Sequence, residues 1–489
     1  MNETLALIFG YGIPIGWVLG ITLGAIVALI FFIAQPKLFG FLLFLFILNI
    51  VFPAYGFRET QLNLYFWGVG KLPFPLIQFY LYGLFIAVWM HNVYMRRQPL
   101  MNAGGGWFIL FTLLFIGHFV AGLMEDQHWL YILHRHGLIN ILHMGMSAYI
   151  AASLLQNEKD IEKFIKIFLV FAVARAIYGL ARFFFFGGDP QNAYSNITEL
   201  NIKLTYWDTS ESLIATIAAF YFAWRLVKDW STLRTSMRFL FTGCFILEIA
   251  LILLSFRRAH LFGLALAGMY FLSLLPWRQR IIYTTIAAIF LIPSISLVTA
   301  YRAKETIGTR AELTIWEQIA PDALTANITD PESRFYELYR AYDSTRDNLA
   351  LGVGSWGTFK IRYGDQSALS YHQGDYSFVH SGFGHIFMKS GLLGLLLFCG
   401  IFLAAWRFGS KARMNISAEL QPAFHAYRSG LWFMVPSLLF ATPIIENRTM
   451  LWMGILLGLP IAIASRFTKT VPEKCRHNHL AMAIRPSEP

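Results

Sequence analysis

The chain contains many apolar runs of membrane-spanning length, and no other feature restricts its possible folds so strongly. A bilayer core of about 30 Å requires about 20 predominantly apolar residues per crossing helix. We count 13 such runs and therefore predict an all-α polytopic membrane protein with about 12–13 transmembrane helices. The predicted spans are residues 13–35, 38–54, 73–92, 106–124, 137–155, 164–185, 211–227, 239–256, 260–276, 281–300, 383–406, 428–445 and 449–465.

The composition agrees with this class, because 56% of the 489 residues are hydrophobic and only 14% are charged. An average soluble domain has about 25% charged residues. The net charge of +11 does not point to nucleic acid, since most of the excess lies in loops beside the membrane. Anionic lipid headgroups attract such loops, so membrane lipids are the expected partners of this charge and no nucleic acid is expected.

Lysine and arginine fall in short loops at alternate helix ends, for example at Arg96 and Arg97. Positively charged loops stay in the cytoplasm, which places the polar segment 301–379 on the opposite side. In a bacterium that side is the periplasm. We predict four parts, namely transmembrane helices 1–10 in residues 1–300, a periplasmic loop domain in 301–382, C-terminal transmembrane helices in 383–465, and a cytoplasmic tail in 466–489.

The predicted periplasmic loop domain carries two motifs that a membrane helix would not favour. The run Gly352–Phe359 is rich in glycine, which costs helix stability and permits unusual backbone angles. The second motif begins at His380, directly before the next apolar run. Between the previous span and these motifs, residues 331–348 predict an amphipathic helix that buries Phe335, Leu338 and Tyr342.

Arginines at the membrane boundary or within spans are candidates for phosphate binding. Arg257 and Arg258 join two apolar runs with almost no loop, and a guanidinium fork binds phosphate with two hydrogen bonds. The alternative for this pair is contact with lipid phosphates. Arg175 and Arg182 are seven residues apart, so they share one helical face. For them the alternative is a structural role, such as pairing with an acid.

Three further charged residues leave several interpretations open. Glu248 lies in the middle of a predicted span and is compatible with a proton relay or with an internal pair to Arg175. Glu446 and Arg448 lie in a short hairpin between the last two spans. We take both as candidate substrate-binding residues, with a plain external turn as the alternative.

Histidines cluster near the end of the predicted loop domain. His372, His380 and His385 suggest a metal site at first sight, but their spacings of eight and five fit no common zinc pattern. Histidine is also the side chain best suited to accept a proton near neutral pH. We therefore favour His380 as a general base over a metal ligand, and we expect no metal and no other cofactor.

Taken together, these motifs resemble the O-antigen ligase and Wzy-type polymerase superfamily of bacterial surface-glycan enzymes. The resemblance rests on the glycine run Gly352–Phe359, followed by a motif from His380 to Gly394 that enters a membrane helix. Arg334 matches an arginine at the start of the helix before the glycine run, and Ser255–Arg258 is similar to the family's Ser-Arg motif.

Two positions depart from the family pattern. Ser381 stands where the family often has asparagine, and Lys389 stands where it often has an acid. The resemblance covers the C-terminal two-thirds of the chain, and the first 160 residues match only as spanning helices. These departures weaken any assignment to a subfamily, while the class of reaction is unaffected.

The resemblance implies a GT-C-type glycosyltransferase of the bacterial inner membrane with its active site facing the periplasm. It would transfer glycan from an undecaprenyl-diphosphate-linked donor to a hydroxyl of an acceptor glycan, without a metal. For this reaction we predict catalytic roles for His380, Arg258 and Arg334 and substrate-binding roles for Arg257, Arg182, Arg175, Trp356, Tyr376, Glu446 and Arg448. Because no carboxylate is obviously placed as a nucleophile, we expect inversion by single displacement.

The acceptor is not determined by these residues. We favour an O-antigen or exopolysaccharide repeat-unit polymerase, with an O-antigen ligase acting on the lipid A core of lipopolysaccharide, or a protein O-oligosaccharyltransferase, as alternatives. A chain-length regulator and a flippase are further candidate partners. The competing class is a polysaccharide or lipid transporter, against which stands the absence of a visible sequence repeat and of paired broken helices.

Overall fold

The computed structural model of the chain describes residues 15–48, 76–95, 103–155, 157–189, 203–304, 334–361, 374–412 and 416–467. Nearly all of these residues are helical, and the strands in this part of the chain are one short pair. The predicted all-α membrane architecture is confirmed.

We call the loop domain predicted for residues 301–382 the lobe. The helices up to its start are α1 Ile15–Ala34, α2 Pro36–Leu48, α3 Leu76–Tyr94, α4 Gly105–Met124, α5 Trp129–Ile132, α6 Ile139–Leu154, α7 Glu158–Phe185, α8 Thr209–Lys228, α9 Thr235–Leu253, α10 Arg258–Ser273 and α11 Trp277–Lys304. The remaining elements are α12 Arg334–Ser344, β1 Phe359–Ile361, β2 Gly374–Tyr376, α13 Gly382–Ala412, α14 Gln421–Phe440 and α15 Asn447–Phe467.

Every predicted span coincides with one of these helices, although several boundaries differ. The span predicted at 428–445 is wrong at its end, because α14 stops at Phe440 and a short 3₁₀ turn follows at Pro443–Ile445. Among the described residues, six helices are long and apolar enough to cross a membrane. The number rises to seven if α1 and α2, which meet at an angle of 105°, are counted as one broken span.

Helix α15 forms the centre of the bundle and is almost completely buried. It packs mainly against α6, while α14 packs against α8 and α10. Helix α11 is the opposite case, because none of its apolar segment Trp277–Leu297 is buried in the core. A membrane helix surrounded by protein and one surrounded by lipid are both apolar, so hydropathy alone does not separate them.

Helices α8, α10 and α15 begin at the same end of the bundle, which we call the lobe end. Glu211 in the first turn of α8 forms a salt bridge with Arg448 in the first turn of α15. Arg257, just before α10, donates to the Thr209 hydroxyl at the start of α8 (3.4 Å). Helix N-termini carry partial positive charge, so their convergence favours anions at this end.

Helix α13 also begins at the lobe end, where the amide of Gly382 donates to the carbonyl of Ala441 (2.8 Å). The Thr442 hydroxyl donates to the carbonyl of Val379 (2.8 Å). These bonds attach the segment before α13 to the turn between α14 and α15. The lobe helix α12 then packs against the first turns of α13 and against β1.

The lobe helix confirms the prediction for residues 331–348 in type, but its buried face is not the predicted one. Phe335 and Tyr342 are 37% and 49% exposed, whereas Glu337 and Ala341 are buried. Leu338, as predicted, is partly buried. The prediction ranked side chains by apolarity. It was wrong for this helix because the buried carboxylate of Glu337 has a polar partner, His380.

Candidate active site

The two sequence motifs of the lobe meet at a break in α13. Gly391 has φ 63° and ψ −164°, a conformation that interrupts the helix and is essentially restricted to glycine. The loop 349–353 lies in this break, and a Cβ on Gly352 would come within 2.4 Å of the carbonyl oxygen of Met388. Only two glycines allow the two backbones to approach so closely.

Backbone hydrogen bonds join the loop to the broken helix. The amides of Leu392 and Leu393 donate to the carbonyls of Leu349 (2.8 Å) and Ala350 (3.1 Å). In return the amide of Val353 donates to the carbonyl of Met388 (2.9 Å). These bonds give the amides that follow the break acceptors from outside the helix.

The two positions that depart from the family pattern both have structural roles here. The Ser381 hydroxyl accepts from the amide of Gly384 (3.2 Å), a helix cap that asparagine also forms well. The ammonium group of Lys389 donates to the carbonyl of Gly357 (2.6 Å) in the glycine run. Lysine at this position thus holds the same two motifs together.

His380 forms a pair with a carboxylate from the lobe helix. Its Nδ1 lies 3.0 Å from both Oε1 and Oε2 of Glu337. The Glu337 side chain is 8% exposed and that of His380 is 47% exposed. The carboxylate is therefore fixed inside the lobe, while the imidazole reaches the surface of the site.

This geometry selects one form of the histidine. A carboxylate only accepts hydrogen bonds, so Nδ1 must carry the proton, and Nε2 is then the basic nitrogen of the neutral ring. The same arrangement orients the general base in serine hydrolases. The structure thus gives His380 the tautomer and the orientation that proton abstraction requires.

The arginine turn Ser255–Arg258 connects α9 to α10 with an unusual backbone. Phe256 has φ 52°, a left-handed conformation that is rare for an aromatic residue. The turn places Arg258 as the first residue of α10, while the guanidinium of Arg257 lies over the ring of Trp207 at 4.5 Å. Both arginines therefore lie beside the N-termini of α8 and α10.

Arg182, in the last turn of α7, contacts the loop that precedes α8. It pairs with Asp189 (3.1 Å) and donates to the carbonyl of Thr205 (2.5 Å). Asp189 also accepts from the amide of Trp207 (2.7 Å). Two arginines therefore contact this loop. Arg257 lies over the ring of Trp207, and Arg182 bonds to Asp189 and Thr205.

The shared face of Arg175 and Arg182 is confirmed, because both guanidiniums lie over the ring of Tyr206, at 5.5 Å and 4.6 Å. Arg175 interacts electrostatically with the buried Glu248, the partner considered for it. Arg175 also forms a salt bridge with Glu211, and all three groups of the resulting network, Arg175, Glu211 and Arg448, are buried.

The network of Arg175, Glu211 and Arg448 also caps a distant helix. Arg448 Nε donates to the carbonyl of Ile47 (2.8 Å), and Arg175 Nη1 donates to that of Leu48 (3.0 Å). These carbonyls belong to the last two residues of α2, and carbonyls at the end of a helix are commonly satisfied by such side chains. The external turn considered for Arg448 is thus wrong, since its side chain is completely buried.

The remaining candidates have mixed locations. Glu446 is buried before α15 and accepts from the hydroxyl of Thr449 (2.6 Å). Trp356 lies against α4, with its ring 6.3 Å from that of His118. Tyr376 lies opposite Phe359 in the strand pair. Arg334 begins α12, but its side chain and all of His372 lie outside the described residues. Substrate binding by these residues stays a prediction.

A comparison with protein families supplies independent information. Residues 243–399 match the family described as O-antigen ligase. The match runs from α9 into α13 and contains the arginine turn, Glu337, the glycine run and His380. We call residues 243–399 the O-antigen ligase region, after the family that they match.

The O-antigen ligase region confirms the resemblance found in the sequence. Together with the membrane helices, this similarity indicates a multi-pass membrane enzyme of the glycosyl-transfer type. A search of curated proteins finds no match to the chain.

Sequence reasoning missed two acids that contact the predicted residues. Glu337 supports His380 within the O-antigen ligase region, and Glu211 pairs with Arg175 and Arg448 outside it. A signal existed for Glu211, because an acid in the first turn of a membrane helix is expensive without a partner. Glu337 had no such signal, since acids are ordinary on lobe helices that contact water.

Proposed function

We propose that the protein transfers glycan from an undecaprenyl-diphosphate-linked donor to a hydroxyl of an acceptor glycan on the periplasmic face, as a repeat-unit polymerase. The observation that carries this proposal is the Glu337–His380 pair, with a buried carboxylate behind an exposed imidazole. It lies in the same O-antigen ligase region as Arg257 and Arg258.

The donor side of the reaction requires positive charge. As the bond between the sugar C1 and the diphosphate oxygen breaks, negative charge grows on the leaving group. Arg257 and Arg258, with Arg182 nearby, would hold the diphosphate beside the N-termini of α8 and α10. Fixed guanidiniums and helix N-termini both stabilise such charge without reorganisation.

The acceptor side requires a base. The acceptor hydroxyl oxygen forms the new bond to C1 while Nε2 of His380 takes its proton, and the resulting imidazolium is stabilised by Glu337. Solvent or the departing diphosphate then receives that proton. Glu337 is held behind the imidazole, so it is not placed as a nucleophile, and this supports a single displacement with inversion.

A second candidate function is transfer to the lipid A core, and the O-antigen ligase description of the matched family favours it. A deletion strain distinguishes the two. Surface glycans that carry a single repeat unit on lipid A core indicate loss of a polymerase, whereas an unmodified core indicates loss of a ligase. Unchanged surface glycans would contradict both functions.

A direct test uses the purified protein in lipid nanodiscs with a lipid-diphosphate-linked oligosaccharide as donor. We expect glycan transfer without nucleotide or ion gradient, and we expect His380→Ala to abolish it. His128→Ala is the matched control, since His128 is an exposed histidine that caps the short helix α5. Full activity of His380→Ala in folded protein would exclude His380 as the base.

A further inference from the structure

A second group of histidines lies next to His380 on the loop between α5 and α6. The rings of His134 and His136 are 4.5 Å apart, edge to face. Nδ1 of His136 lies 2.8 Å from the hydroxyl oxygen of Ser377. The ring of Phe378 lies 5.0 Å from that of His136 and 5.1 Å from that of His380. Phe378 thus connects this loop to the proposed base.

The position of the histidine loop is set by the glycine run. The Ser355 hydroxyl donates to the carbonyl of Ile132 (2.8 Å) and accepts from the amide of Leu138 (3.2 Å), so it joins both ends of the loop. Within the loop, the amide of His136 donates to Nδ1 of His134 (3.2 Å), which fixes the orientation of that ring. The two imidazoles are therefore held in place before any substrate binds.

The surroundings of both imidazoles favour their neutral form. Burial lowers the pKa of His134 to about 4, with smaller contributions from Arg135 and Lys389. Burial also lowers the pKa of His136, and the neighbouring His134 and Arg135 lower it further. Both rings are neutral at neutral pH. Nδ1 of His134 accepts from the His136 amide, so the proton of this ring lies on Nε2 and the ring is a donor. Nδ1 of His136 is bonded to the Ser377 hydroxyl, so this ring and Ser377 form one polar group. Sugar hydroxyls both accept and donate, so they match such groups.

We propose that His134, His136, Ser377 and Phe378 form a subsite that binds a sugar of the acceptor glycan beside His380. This inference rests on the proposed function and adds to it the location of the acceptor. The hydroxyl of Ser377 and the imidazoles bind sugar hydroxyls, and the Phe378 ring supplies an apolar surface for a sugar face. All four side chains are only partly buried, so a ligand can reach them.

The location separates this subsite from the donor charges. The arginines proposed for the diphosphate lie before or on α7 and α10, whereas the histidine loop joins α5 to α6. Two acceptor molecules fit this subsite, because a lipid-linked glycan and a lipid A core both present sugar hydroxyls.

The test is a histidine footprint on the wild-type protein in nanodiscs, which needs no turnover. Diethyl pyrocarbonate modifies neutral imidazoles, and mass spectrometry reports the rate at each histidine. The probes are lipopolysaccharide that ends at its core, undecaprenyl-diphosphate-linked glycan, and undecaprenyl diphosphate without glycan. His128 serves as the internal control, because it is exposed and lies directly before α5, whereas the histidine loop follows α5.

We expect at least one glycan-bearing probe to slow modification of His134 and His136 several-fold, and the probe that does so identifies the source of the acceptor. Undecaprenyl diphosphate should leave both rates unchanged, as should all probes at His128. Protection by undecaprenyl diphosphate alone, equal protection of His128, or no protection by either glycan would overturn the subsite.

A kinetic variant gives a second readout. Loss of one hydrogen bond in His136→Ala should raise the acceptor KM by about tenfold with the donor KM unchanged. An equal change of both KM values would show a general structural effect and refute the subsite. If the wild-type protein transfers no glycan at all, the proposed function fails, and the footprint still decides whether the histidine loop binds glycan.

Discussion

The Glu337–His380 pair allows a quantitative prediction for Glu337→Gln. The amide keeps the shape of the carboxylate and one acceptor oxygen, but it loses the charge that faces the imidazolium when His380 takes a proton. A hydrogen bond to a charged group contributes about 1.5–3 kcal/mol. Since about 1.4 kcal/mol corresponds to tenfold in rate, kcat should fall about ten- to hundredfold.

The assay measures kcat and both KM values for glycan transfer in nanodiscs. Glu337 contacts the base and not the substrates, so we expect kcat to fall while the donor and acceptor KM values stay near those of the wild type. The matched control is Asp343→Asn on the same helix, because Asp343 is exposed and pairs with a neighbouring side chain, that of Arg340. It should retain wild-type kinetics.

Two results would refute the reasoning about Glu337. An unchanged kcat in folded Glu337→Gln protein would show that the carboxylate does not assist the base. A higher KM with an unchanged kcat would instead place Glu337 in substrate binding. A loss of both folded protein and activity is recognised by thermal unfolding, and Glu337→Asp, which keeps the charge, should then recover part of kcat.

Three further predictions concern the donor site and the framework. Arg258→Ala should raise the donor KM about tenfold or more by removing a phosphate fork, and an unchanged donor KM would move the diphosphate elsewhere. Glu211→Ala leaves two buried guanidiniums without their carboxylate and should cost about 3–5 kcal/mol, read as a lower unfolding temperature in detergent; wild-type stability would contradict the network. Gly391→Ala should cost about 1–3 kcal/mol in backbone strain alone, and its Cβ would lie 2.3 Å from the backbone of Ala350. Wild-type stability and transfer in that variant would mean that the break in α13 is dispensable.

The helices were predictable because a membrane removes most alternatives. Backbone groups in lipid must be satisfied within the segment, so apolar runs of sufficient length become helices wherever they occur. The seven-residue spacing of Arg175 and Arg182 likewise places them on one face, as both contacts with Tyr206 show. These predictions use only local information along the chain.

The partners of the charged residues were not predictable in this way. Glu211 and Arg448 are 237 positions apart in the sequence, and Glu337 reaches His380 from a separate helix. Such pairs depend on how helices pack, which apolar patterns in a membrane do not encode. The face of α12 was wrong for the same reason, because burial of an acid is favourable only when its partner is known.

The two halves of the proposed site are held by different parts of the molecule. The donor arginines lie on or next to α7 and α10, and Arg182 and Arg257 are attached to the loop before α8. His380 is instead positioned by the lobe, through Glu337 on α12 and through the loop that enters the break at Gly391. We therefore expect a change in the lobe to alter the proposed base and acceptor site while the proposed diphosphate site is kept. By the same reasoning, we expect substitutions on the histidine loop to change acceptor preference before donor preference.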